Sequence, residues 1–185
     1  MKELTSAFQS EVFRPVVTLV VPGSFAVSTI SIACWQRAPR IQQFANDFPG
    51  FSGVILLLVV LACGLTAEDL GSGIERHFDS LLRRTAGHEK HLDEWLAYLR
   101  LAFDKEPIGQ RYLRSVVLRL KFELGMAIAS APFAIGSWWT VNCIAWRVSL
   151  LLASALVFVY FWHEAKISHR VLGEVRHELL KKESA

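Results

Sequence analysis

From Leu124 to Trp146 the chain carries no charged residue, and after the single interruption of Arg147 it continues uncharged from Val148 to Trp162. A helix rises about 1.5 Å per residue and the hydrocarbon core of a bilayer is about 30 Å thick, so this stretch is too long for one crossing and suited to two joined by a tight turn. Two earlier apolar runs, residues 16–35 and 51–70, have the length of single crossings. The 52% of hydrophobic residues is therefore gathered in blocks and not spread at the spacing of a soluble core. The expected class is all-α: a polytopic membrane protein with four transmembrane helices and a helical cytoplasmic layer. Residues 1–70 hold the N-terminal segment and first two spans, 71–121 a cytoplasmic helical loop, 122–162 a transmembrane hairpin and 163–185 a C-terminal cytoplasmic helix.

The first run is expected to stay in the chain. Glu3 and Glu11 stand beside Lys2 and Arg14, a poor positive flank for a cleaved leader, and Ser31-Ile32-Ala33-Cys34 lacks the aliphatic first position of a lipoprotein cleavage box. Pro22-Gly23 predicts a kink in the first span, which neighbouring helices can tolerate. Trp138, Trp139 and Trp146 flank the turn expected near Asn142, at the depth amphipathic indoles favour, and Arg147 can snorkel to the same surface.

Charge sets the expected orientation. With both termini and the 71–121 loop on one side, only Arg37, Arg40 and Arg147 of the 20 Lys and Arg fall on the other. The positive-inside rule places the crowded side in the cytoplasm. Such a chain sits multi-pass in a bacterial inner membrane with both ends inside.

The loop carries its own periodicity. Phe78, Leu81 and Leu82 recur at helical spacing after Ile74, up to Ala86-Gly87. A second helix is expected on Leu92, Trp95, Leu96, Leu99 and Phe103, broken by Glu106-Pro107-Ile108-Gly109. A third runs from Gln110 directly into span three, bearing Arg111, Arg114, Arg119 and Lys121, a juxtamembrane stripe suited to anionic lipid or an acidic partner. Beyond Trp162 the helix continues with Ile167, Val171, Leu172, Val175 and Leu179 as an apolar stripe. Leu172, Val175 and Leu179 have the 3-then-4 spacing of a coiled-coil seam, which suits a homo-oligomer as well as packing on the chain's own loop helices. Gly125, Ala129 and Gly136, with Pro132, line one face of span three, where small residues let membrane helices approach closely.

Two polar clusters are candidates for chemistry. Glu68 and Glu75 are seven apart at the inner end of span two, with His77 beyond them, a carboxylate–imidazole set suited to Zn, Mn or Fe; the same acids are equally suited to pairing with Arg14, Arg76 or the basic third helix. His88 and His91 form an HxxH pair able to grip one ion on a helix face. Membrane desaturases and hydroxylases carry several histidine boxes of this sort; here there is one, plus an irregular grouping of His163, Glu164 and His169. No phosphate-binding glycine loop, nucleophile elbow, HExxH or CDP-alcohol transferase aspartate pattern is present, so no catalytic residue and no cofactor is assigned. Cys34, Cys63 and Cys143 each lie inside an apolar segment without metal-ligand spacing, although Cys34 and Cys143 fall near one membrane face. No direct nucleic-acid contact is expected.

The expected function is that of an oligomeric membrane sensor, regulator or scaffold, coupling a cytoplasmic helical layer to the membrane bundle. Its partners would be membrane lipids, further copies of itself and a cytosolic protein. A metal-dependent lipid-modifying enzyme and a small channel are the competing classes. In its four apolar runs, taken over the whole chain and without any shared motif, the sequence resembles the four-span membrane component of bacterial anti-phage systems such as Kiwa. That resemblance implies sensing of phage attack at the membrane and control of a soluble effector, and it carries no functional residue across.

Overall fold

A computed structural model describes the backbone of residues 2–86 and 108–183 and the side chains of residues 16–78 and 112–175. All regular structure among the described residues is helical: α1 Lys2–Arg37, α2 Pro39–Asp47, α3 Pro49–Ala86, α4 Ile108–Thr140 and α5 Ile144–Glu183. The second loop helix expected on 92–103 lies outside the described residues, as do His88 and His91 and the side chains of Arg111 and Leu179.

Three helices are long and apolar enough to cross a membrane, over Val16–Arg37, Pro49–Phe78 and Ile144–Val175. The third apolar run of the sequence, within α4, is not among them, for a physical reason. Gly125, Ser130, Pro132, Gly136, Ser137 and Thr140 dilute its hydropathy, and α4 is the helix the others enclose. It packs on α1, α3 and α5, and Leu120, Leu124, Ala129 and Ser137 are wholly buried. An enclosed helix gains from small residues that admit close neighbours, whereas a helix facing lipid must be apolar outward. The outward residues of the flanking helices obey the second rule: Leu56, Leu57 and Leu58 on α3 and Leu152, Leu156 and Val159 on α5 are all exposed.

Close backbone approach fixes two crossings. Where α1 meets α3, a Cβ on Gly23 would collide with the Val60 carbonyl and one on Gly64 with the Leu19 carbonyl, so the two glycines let the backbones touch. Pro22, fully buried one residue earlier, lies against Gly125 of α4, and α1 remains helical through Pro22-Gly23. Where α1 meets α4 further along, a Cβ on Gly136 would strike Thr29 Oγ1, and Phe25 and Phe133 stack with centroids 4.3 Å apart.

Hydroxyls bond across these seams. Thr29 Oγ1 donates to the Phe133 carbonyl (3.0 Å), Thr140 Oγ1 to the Thr29 carbonyl (2.9 Å), and Ser154 Oγ of α5 to the Ser130 carbonyl of α4 (2.7 Å). The α4–α5 turn occupies Val141-Asn142-Cys143. Arg147 closes it, donating to the Val141 carbonyl with its guanidinium 5.3 Å from the Trp138 ring centroid. Arg37 donates to the Trp139 carbonyl at 2.6 Å, so the ends of α1 and α4 lie on the same side of the bundle.

Lengths carry the helices well past an apolar core. At about 1.5 Å per residue, α3 and α5 extend roughly 57 and 60 Å, nearly twice a bilayer's 30 Å. α3 continues without a break through Gly71 and Gly73. Residues 39–47, to which the sequence reading gave no element, form α2, linked to α1 through Ala38 and to α3 through Phe48.

Candidate functional site

At the end of the bundle opposite the α4–α5 turn, the uncharged part of α4 gives way to Lys121 and Arg119, and both meet acids on other helices. Lys121 Nζ lies 2.5 Å from Glu68 Oε1, tying α4 to α3. Arg119 spans two acids: its Nε donates to Glu123 Oε1 (2.6 Å) on its own helix and its NH2 to Glu164 Oε2 (2.5 Å) on α5. Two helices are thus pinned to α4 at one level, where the apolar run ends.

The acids differ in environment. Glu123 is buried, and its Oε2 has no hydrogen-bond partner, while Glu164 and Glu68 are part-exposed. The Arg119 to Glu123 order is the less favourable orientation for an exposed helix pair. It is used here because Glu123 points into the bundle and needs a countercharge on its own helix. Hydrogen bonding and charge from Glu123, with a lesser contribution from Glu164, hold the Arg119 guanidinium above its ordinary range, so it stays cationic.

An apolar cluster begins at the level of these pairs and runs outward along the ends of α3, α4 and α5. Leu113, Val116, Leu120 and Leu124 of α4 pack on Ala165 and Leu172 of α5, with Ile74 and Phe78 of α3 and Val171 and Val175 of α5 around them. Phe78 sits edge-on to Trp162 (5.3 Å) and to the buried His169 (5.6 Å), and Lys166 covers the Trp162 ring at 5.7 Å. The ends of the three helices, their tails, therefore share one core that starts at the charged collar.

Each residue singled out from the sequence has a place. Of the basic stripe, Arg119 and Lys121 are engaged by acids of neighbouring helices while staying partly exposed, and Arg114 is exposed with an interaction of its own. Arg111 stands on the same helix, its side chain outside the described residues. Leu172 and Val175, two of the three residues read as a coiled-coil seam, pack inside the chain against α4, so this part of the seam is covered intramolecularly. Gly125, Ala129 and Gly136 likewise face other helices of the chain, Gly125 and Gly136 meeting α1.

Of the metal-candidate residues, Glu68, Glu75 and His77 are described, and His88 and His91 lie outside the described residues. Glu68 is turned to Lys121, and Glu75 and His77 each hold an interaction of their own. Glu75 and His77 are two apart, on different faces of α3. Among the described residues no three His, Cys, Asp or Glu converge on one point. Cys34, Cys63 and Cys143 are free thiols, Cys34 and Cys143 exposed. An apolar hollow of about 310 Å³ between α4 and α5 near the turn is open to the surroundings and lined by Ala134, Ile135, Trp138, Trp139 and Leu151, without a polar side chain to orient a substrate.

Glu123 and its link to Glu164 escaped the sequence reading. The available signal was an acid immediately before a long uncharged run, a position that costs free energy unless a partner is near. No protein-family model matches this chain, and no curated protein and no solved structure matches it.

Proposed function

We propose that this chain is a four-span inner-membrane regulator or scaffold in which α4 is the fourth, enclosed crossing and the tails of α3, α4 and α5 form one cytoplasmic unit. The collar of ion pairs from Lys121 to Glu68 and from Arg119 to Glu123 and Glu164 carries this reading. It joins the three long helices where their apolar parts end, so a displacement of any one tail is passed to the others and into the bundle. The core that the tails share is suited to transmitting a docking event.

The charge split supports the orientation. Of the Lys and Arg whose side chains are described, only Arg37, Arg40 and Arg147 lie at the Trp-rich end, and Arg76, Arg114, Arg119, Lys121, Lys166 and Arg170 lie at or beyond the collar. In its most specific form, after the resemblance in layout to the anti-phage membrane component, the bundle senses phage attack and its tails control a cytosolic effector.

Charge exchange tests this in the native host. Glu68→Lys and Lys121→Glu each break the α3–α4 pair, and together they restore it in reverse. Phage plating on cells carrying each version should show protection lost in both single variants and regained in the double variant. Equal plating with and without the wild-type protein contradicts the defence role, and equal protection by all four versions contradicts the coupling role of the collar.

A further inference from the structure

The geometry points to a second membrane contact, distinct from the spans: α2 is an interfacial helix that lays its apolar face into the headgroup–acyl boundary of the leaflet at the Trp-rich end. The inference rests on the membrane-spanning reading of α1 and α3 and adds a lipid-binding surface to it.

Ile41, Phe44 and Ala45 recur at i, i+3 and i+4 along α2, and Phe48, the residue that caps it, extends their stripe with its ring beside Phe44. Arg40, Gln42, Gln43, Asn46 and Asp47 occupy the other faces. The protein does not cover the stripe: Ile41 is 48%, Phe44 39% and Phe48 58% exposed, and no residue of α2 is buried. The stripe is instead continuous with α3, since Phe44 lies 5.5 Å from Phe48 and 6.0 Å from Phe51, itself 60% exposed.

What covers this face follows from the tethers. One residue, Ala38, separates α2 from α1, and one, Phe48, separates it from α3. Both neighbours are candidate spans, one ending at Arg37 and the other starting at Pro49. A nine-residue helix held so briefly at both ends stays at the level where those spans leave the hydrocarbon. The Arg37 bond to the Trp139 carbonyl puts the exposed Trp138 and Trp139 at the same end, the depth at which indoles gather. Arg40 and Asp47 cancel in charge, so the contact is driven by apolar burial and takes zwitterionic and anionic lipid alike.

The full-length protein in phosphatidylcholine vesicles tests it, with Cys34, Cys63 and Cys143 replaced by Ala. Single cysteines at Phe44, Phe48, Gln43, Asn46 and, as a control for the spans, Leu57 would each carry an environment-sensitive fluorophore. The expected result is blue-shifted emission at 44 and 48, quenched by a nitroxide near the lipid headgroup and shielded from aqueous iodide. Labels at 43 and 46 should be quenched by iodide, and the pattern should persist when phosphatidylglycerol is added. If all four α2 labels are open to iodide while Leu57 is quenched by a deep nitroxide, the interfacial contact is overturned and the spans stand. Shielding at 44 and 48 with no lipid quenching, together with energy transfer between labelled copies, assigns the face to a second copy and also overturns it. A Leu57 label open to iodide removes the spanning reading itself, and the inference with it.

Discussion

Glu123 Oε1 accepts a hydrogen bond from Arg119 at 2.6 Å while its buried Oε2 has no hydrogen-bond partner. The buried carboxylate thus depends on one guanidinium, which it shares with Glu164. Removing the arginine leaves the buried carboxylate without its partner, a loss of about 1–3 kcal/mol. Arg119→Ala should therefore lower thermal stability in detergent sharply. Arg119→Ala/Glu123→Gln should recover much of it, because the neutral amide needs no countercharge. Thermal unfolding of the two variants checks this; equal losses would mean that Glu123 is not the group Arg119 compensates.

The contact of α1 with α3 predicts a strict size limit. Gly64→Ala and Gly23→Ala each force the backbones apart and should cost about 1–3 kcal/mol, the range seen for overpacked sites. Gly73→Ala on the same helix α3 meets open space and should gain up to about 1 kcal/mol from helix propensity. Stability of the three purified variants decides the matter. A neutral Gly64→Ala would show that the crossing is looser than the structure has it.

Leu172 separates packing within the chain from packing between chains. It is buried against Leu113, Val116 and Leu120 of α4, so Leu172→Ala should cost about 2–5 kcal/mol as a cavity in one chain's core. The loss should be independent of protein concentration. A loss that shrinks as concentration rises would return the stripe to a subunit interface.

Much of this was legible from the order of residues, and the limits have physical causes. Apolar length alone marked residues 16–35 and 51–70 as helices able to cross a membrane. The turn near Asn142 was legible as an interruption flanked by indoles. The status of α4 was harder to read, since its composition answers to neighbouring helices and not to lipid. Pairing of Glu68 with the basic third helix is one of the readings the sequence offers, and the Glu68–Lys121 pair is of that kind; which base it takes depends on the crossing of α3 and α4. α2 was missed because its apolar stripe is only two turns long, too short to stand out between two stronger signals.

Hydrogen bonds between helices predict smaller effects. Ser154→Ala removes the bond to the Ser130 carbonyl and should cost about 0.6 kcal/mol, the average for such bonds in a membrane bundle. The same change at Ser149, which bonds only within its own helix, should be near neutral. Thermal stability of this pair of variants measures the difference. Equal effects would remove the Ser154 bond from the account of α4–α5 packing.

The central claim is that α4 crosses the membrane as an enclosed fourth span, and thiol accessibility in intact cells tests it most directly. Cys143 is a natural, exposed reporter at the α4–α5 turn, and Glu174→Cys places a second on the far part of α5. In a background of Cys34→Ala and Cys63→Ala, an impermeant thiol reagent should label Cys143 in intact cells and Glu174→Cys only after permeabilisation. If α4 does not cross, α5 runs the other way, and the opposite pattern, Glu174→Cys labelled from outside and Cys143 protected, would contradict the account.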